Sequence, residues 1–268
     1  VLARLDHFRK LNLTWVMTTD CNMAPPKTMD STPTPTTLSM FDLPPLELSF
    51  ENVHTFLNTH SKRDKLGKVV HYGSRGMVGL CGTLLNFCNQ ESMFAMFLLT
   101  AQSKFKNVFV RVMNARRTVR WLSGTGLALG IMRNQVSLRV KAIKALLLTW
   151  ILSDHYRWLQ QLTILPGDQA LTRNYGFSFA CFSWALATYH HTAVLMASQP
   201  KENETKDETA QRVAKDNKTK RQILRNALGT VSAAHISTLW VSSEAICGFF
   251  GSFVAAIDMY DLVPRLPK

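Results

Sequence analysis

GFSFACFSWALATYHHTAVLMAS, residues 176–198, runs 23 residues without an Asp, Glu, Lys or Arg. At about 1.5 Å per helical residue it would be roughly 34 Å long, enough to cross the ~30 Å hydrocarbon layer of a bilayer. A second run, ALGTVSAAHISTLWVSSEAICGFFGSFVAAI at residues 227–257, spans 31 residues with Glu244 as its one Asp, Glu, Lys or Arg. A charge at that depth is costly unless it meets a neighbouring helix or sits near an interface. One such run can be a buried core helix. Two of them, beside a basic surface, predict a membrane protein with two transmembrane helices near its C-terminus.

The segments around these runs predict an all-α, multi-helix chain. Residues 199–225 are rich in Lys, Glu, Asp and Thr and read as a polar loop joining the two spans, with 261–268 as a short tail. Upstream, Leu66, Val69, Val70, Gly73, Met77, Leu80 and Leu84 recur at helical spacing. Residues 104–144 carry ten Lys or Arg and no acid. At 100° per residue Phe105, Val108, Val112, Ala115, Val119 and Leu122 share one face. Lys106, Arg116, Arg117 and Arg120 gather to one side of it, and Lys104 and Arg111 flank the other. That is the pattern of a helix lying in a membrane interface with its cations toward phosphates. A second basic segment adds Arg133, Arg139, Lys141 and Lys144. These ten cations are the expected lipid-binding residues.

Residues 1–48 differ from the rest. A short amphipathic helix is expected at 1–19, followed by six prolines within residues 20–47 among Thr and Ser, a composition that favours an extended arm. Such an arm is expected to lie on a partner subunit, and Val1 suits a processed or missing N-terminus. The helical membrane domain is expected at 49–260. The net charge of +13 suits an anionic lipid surface or an acidic partner. Nucleic acid fits poorly, since zinc-finger spacing, a ribonucleoprotein motif and leucine heptads are all lacking. The five scattered cysteines, mostly within apolar runs, read as small hydrophobes.

No catalytic constellation emerges. His190-His191 has no carboxylate or Cys at ligand spacing. Asp154-His155 are adjacent and point in different directions on a helix. Nine residues separate His235 from Glu244, which places them on opposite faces of a continuous helix. Gly124-Thr-Gly126 lacks the strand–turn–helix setting of a dinucleotide loop. We therefore expect no enzyme activity, no metal and no cofactor beyond a bound anionic phospholipid such as cardiolipin. Gly229, Gly248, Gly251 and Ser252 are small residues that let a neighbouring backbone approach, and they are the expected helix-packing positions.

Four blocks, in this order, resemble the peroxin-11 family. They are Arg63-Asp-Lys-Leu-Gly-Lys-Val-Val-His-Tyr-Gly-Ser-Arg75, Asn114-Ala-Arg-Arg-Thr-Val-Arg-Trp-Leu122, Asp154-His-Tyr-Arg-Trp-Leu-Gln-Gln-Leu162, and the closing apolar segment ending Asp258-Met-Tyr. His71 stands where the family usually has Gln. The resemblance covers about residues 50–260 and implies a non-enzymatic helical membrane protein that elongates and constricts peroxisomal membranes and self-associates. Two readings follow. The arm and the basic helices favour an accessory structural subunit of a mitochondrial inner-membrane complex, packed against other subunits and lipid. The alternative is a peroxisomal or glycosomal membrane-shaping protein. A transporter is a third, more distant reading, which would need His190-His191 or Glu244 to face a cavity.

Overall fold

The structure, a computed structural model, describes residues 60–120, 123–132, 137–200 and 204–262. The N-terminal helix and arm expected at 1–48, Leu122, Arg133 and most of the expected 261–268 tail lie outside the described residues. The described residues form seven helices and no strand: α1 (His60–Leu85), α2 (Met93–Val119), α3 (Ser123–Met132), α4 (Leu138–Gln161), α5 (Gln169–Met196), α6 (Lys206–Ile236) and α7 (Glu244–Tyr260). The described residues are all-α, as the periodicity implies.

Neighbours in space run α2, α1, α7, α6, α5, α4, with α3 packed on α4. A short contact between α2 and α4 closes the first six into a ring. Small residues set the spacing within it. A Cβ on Gly248 of α7 would overlap the backbone nitrogen of Gly76 on α1, and one on Gly251 would overlap the ring of Tyr72. The Ser252 hydroxyl donates back to the Gly248 carbonyl at 3.0 Å. Across α6 and α7, the Ser232 hydroxyl donates to the Cys247 carbonyl at 3.3 Å and the Cys247 thiol donates to the Ser232 carbonyl at 3.6 Å. Gly229 of α6 takes the face of Trp184 on α5, 3.0 Å from where a Cβ would sit. Trp150 of α4 then meets both Phe177 and Trp184, with ring centroids 6.0 Å apart in each case. Two buried clusters result, one around Tyr72, Ile236 and Cys247 and one around Ala180, Cys181 and Ala233.

Three expectations change. The run at 227–257 is not one helix: α6 stops at Ile236, residues 237–243 turn, and α7 starts at Glu244. The run at 176–198 lies in α5 up to Met196 and buries its small residues Gly176, Ala180, Cys181, Ser183 and Ala187 inside the ring, while Phe182, Tyr189 and Met196 stand exposed. Among the described residues no helix is long and apolar enough to cross a membrane. The expected loop at 199–225 is helical from Lys206. Thr205 and Glu208 form a reciprocal capping box, with the Glu208 carboxylate accepting from the Thr205 N–H at 2.9 Å. That Thr-x-x-Glu signature starts a helix regardless of the mixed charge that follows.

Candidate functional site

Four helix ends meet at one end of the ring. α1 runs antiparallel to α7, so its C-terminus lies beside the turn at 237–243, and the α1–α2 turn lies at the same end. Each segment approaching this end lacks Asp, Glu, Lys and Arg, with His235 its one titratable imidazole: residues 76–85 of α1, 93–103 of α2, 226–236 of α6 and 245–257 of α7. Ten to thirteen helical residues reach about 15–20 Å. Along the surface of this end large apolar side chains stand in the open. Phe87 and Met93 are 83% exposed and Val241 79%, with Phe94, Met96, Phe97, Leu99, Leu239, Trp240 and Phe253 all at least half exposed. A soluble surface rarely gathers that many large apolar groups without a purpose.

Charge at this end is nearly self-contained. Glu244 accepts from both the Nε and the Nη2 of Arg75, the latter at 3.0 Å, and lies 3.4 Å from the His235 imidazole. The helix break brings His235 and Glu244 together, whereas a continuous helix would hold them on opposite faces. The turn signal was present in Ser242-Ser243, since Ser243 caps α7 by accepting from the Ile246 N–H. Glu91 is the remaining acidic side chain there.

The ten expected lipid-binding cations separate into groups. Lys104, Lys106 and Arg111 are exposed on α2, directly beyond its apolar first turns. Arg139 is exposed and stacks over the Tyr189 ring at 5.0 Å, Lys141 is half-buried, and Lys144 donates to the Gly130 carbonyl at 3.4 Å. Arg116, Arg117 and Arg120 turn inward, which corrects their assignment to an interface. Arg117, 2% exposed, donates to Asp154 at 3.0 and 3.1 Å and to the Gln161 side-chain oxygen at 2.6 Å. Arg116 pairs with Asp64 at 2.9 Å, and Arg120 with both Asp64 and Asp154. The face of α2 that meets α1 is the one carrying Ala95, Leu98, Phe109 and Arg116, rotated from the apolar face inferred from α2 alone. Its acidic partners sit on α1 and α4, which a helical projection of one segment cannot reveal. Three sequence blocks far apart in the chain thus converge in one ion network.

A second network joins α1, α6 and α7. The Asp258 carboxylate accepts from Lys65 at 3.1 Å, Lys68 at 2.9 Å and the Arg225 guanidinium. Burial alone would raise this carboxyl, and the three cations together hold it well below the usual carboxylate range. Burial, with Arg225 and Lys65 adding repulsion, brings the Lys68 ammonium down to about 7 despite its contact with Asp258. Three cations around one carboxylate account for the direction at Asp258, and burial is the main cause at Lys68.

The His190 and His191 rings lie 5.4 Å apart, and His191 lines the pocket between α1, α2, α4, α5 and α6, where burial, then His190 and Arg225, lower its imidazole. Among the described residues no three His, Cys, Asp or Glu side chains converge as metal ligands. Residues 50–263 match the family model of Peroxisomal biogenesis factor 11 (PEX11). No curated protein and no solved structure matches the chain. Neither the fold nor the family match supports the mitochondrial inner-membrane subunit, the reading that the arm had favoured. With most of its length inside the match and the family's blocks joined in one helical ring, the chain belongs to the peroxisomal biogenesis factor 11 family.

Proposed function

We propose that this chain is a non-catalytic, peroxisomal membrane-shaping protein that enters one leaflet with the apolar end of its helix ring. One observation carries the reading: save the Arg75–Glu244–His235 cluster and Glu91 in the α1–α2 turn, four adjacent helix ends are free of acidic and basic residues over about 15–20 Å, roughly half of a ~30 Å hydrocarbon layer. Helices of that reach fill one leaflet without crossing both. A body inserted on one side expands that leaflet relative to the other, and the bilayer relieves the mismatch by curving. Lys104, Lys106 and Arg111 lie just beyond the apolar turns of α2, at the depth of the phosphates, where each contributes about 1 kcal/mol on an anionic surface.

The test is electron microscopy of vesicles of phosphatidylcholine with one-third anionic phospholipid, incubated with the full-length protein from one side. The reading expects tubules or constricted necks whose number rises with protein density. Spherical vesicles at saturating bound protein would refute it.

A further inference from the structure

Between α1, α2, α4, α5 and α6 the ring lines a half-open cavity of about 600 Å³. Its wall carries five cations, Lys65, Lys68, Arg116, Arg120 and Arg225, and one carboxylate, Asp64. Behind the wall stand Asp258, Asp154 and Arg117. Among the described residues, six cations of this network share three carboxylates: Asp258 serves Lys65, Lys68 and Arg225, Asp64 serves Arg116 and Arg120, and Asp154 serves Arg117 and Arg120. Both lysines donate to the same oxygen, Oδ2 of Asp258, although each ammonium has three N–H groups. Even with the Lys68 ammonium brought down to about 7, the described residues of this network hold more cations than carboxylates, an excess that is costly in a partly buried space unless an anion meets it. Beside the cations the lining is apolar and aromatic, with Ile143, Leu147, Trp150 and Trp184, and the Arg120 guanidinium lies 5.8 Å over the Trp150 ring.

We infer that this cavity binds the phosphate group of an anionic ligand, with Lys65, Lys68, Arg116, Arg120 and Arg225 as its donors. Phosphate oxygens accept several charge-assisted hydrogen bonds at once, and a guanidinium fork matches them in geometry. The volume lies within the range of sites that hold small molecules. The Trp150–Trp184 wall beside the cations suits an apolar chain attached to the phosphate. Two sources share this chemistry, a phospholipid headgroup and a water-soluble phosphate ester. The site lies among charged residues outside the apolar end, so it stands or falls independently of leaflet insertion.

The experiment measures binding to the full-length protein in a non-ionic detergent. The probes are oleoyl lysophosphatidate, oleoyl lysophosphatidylcholine, glycerol 3-phosphate and inorganic phosphate, read by native mass spectrometry and by the rise in melting temperature. We expect one lysophosphatidate per chain, bound at least tenfold more tightly than the zwitterionic lipid of the same chain. Glycerol 3-phosphate binding at least tenfold more weakly would identify a lipid headgroup as occupant; equal binding would identify a free phosphate ester, and both support the site. No saturable binding of any phosphate probe overturns it. Charge substitutions supply the second arm. Lys65→Gln leaves Asp258 two cations and should weaken binding about tenfold, the scale of one charge-assisted hydrogen bond. Asp64→Asn removes the wall's carboxylate and should tighten binding. A loss in both variants, or an equal loss in the exposed control Arg111→Gln, would mean general destabilisation or surface attraction and overturns the assignment.

Discussion

Phe94 and Phe97 place a large, testable share of the membrane affinity on two side chains of one helix. They are 54% and 65% exposed on the first turns of α2. A phenylalanine side chain carries roughly 200 Å², so together they offer about 240 Å² to a leaflet. At ~25 cal/mol per Å² full transfer contributes about 6 kcal/mol, or four decades in partition coefficient. Transfer of only half that area still leaves a hundredfold. Because both side chains face outward, the double substitution Phe94→Ser with Phe97→Ser costs the fold little beyond helix propensity, about 0.5 kcal/mol per position. Vesicle flotation of the full-length protein at several lipid concentrations measures the partition coefficient, and circular dichroism checks that the helices remain. A drop of at least a hundredfold with an unchanged melting temperature is expected. A double variant that partitions within threefold of the parent would refute the assignment of this end to the membrane.

Three further predictions test the ring and its charges. Gly248→Ala sets a methyl group against the Gly76 backbone and must push α7 away from α1; thermal melts should show a loss of about 1–3 kcal/mol. Arg117→Gln should destabilise by about 3–5 kcal/mol by leaving Asp154 with Arg120 as its cation. Lys104→Gln with Lys106→Gln should leave stability unchanged while weakening binding to anionic vesicles, so chemical denaturation and flotation separate the inward cations from the outward ones. The pH dependence has a defined sign. The folded Lys68 ammonium titrates near 7 and the unfolded one near its ordinary 10.5, so between these values the unfolded chain holds more protons. Stability should therefore rise with pH across that window, and Lys68→Met should abolish the rise. Asp258 is shifted downward, so its contribution is present above the ordinary carboxylate range and lost as pH falls below it. Asp258→Asn should flatten the acid limb of the stability curve.

Helices were legible wherever the periodicity was strong. The apolar stripe at 66–84 became α1, and the basic segment at 104–120 lies in α2. The glycines at 229, 248 and 251 are contact points between helices of this chain, consistent with small residues permitting close approach. What escaped the sequence was where a helix ends without the usual residues. Thr238 closes α6 at φ 63°, a left-handed conformation that Gly or Asn normally supplies. With Leu239, Trp240 and Val241 following, the turn is as apolar as a span, and two short helices read as one long one. Hydropathy measures how apolar a segment is; it does not say whether the segment crosses a bilayer, dips into it or packs against its neighbours. In α5 the same composition lies in the ring, with Gly176, Ala180 and Ser183 buried. The ion networks escaped for a different reason. Asp64, Asp154 and Asp258 are each isolated along the chain, and only the closed ring brings them to Arg116, Arg117 and Lys68.

The central claim is that the apolar end reaches mid-bilayer from one side, and depth-dependent fluorescence quenching measures it directly. A bimane at position 241 in a Val241→Cys variant, on full-length protein bound to vesicles, is compared with one at position 106 in Lys106→Cys. Lipids carrying a nitroxide at the headgroup, or early or late in the acyl chain, report the depth of each. The account predicts strongest quenching at position 241 by the late acyl-chain label, about 15 Å below the phosphates, and at position 106 by the headgroup label. Strongest quenching at both positions by the headgroup label, or labelling of position 241 by an impermeant reagent trapped on the far side, would contradict it.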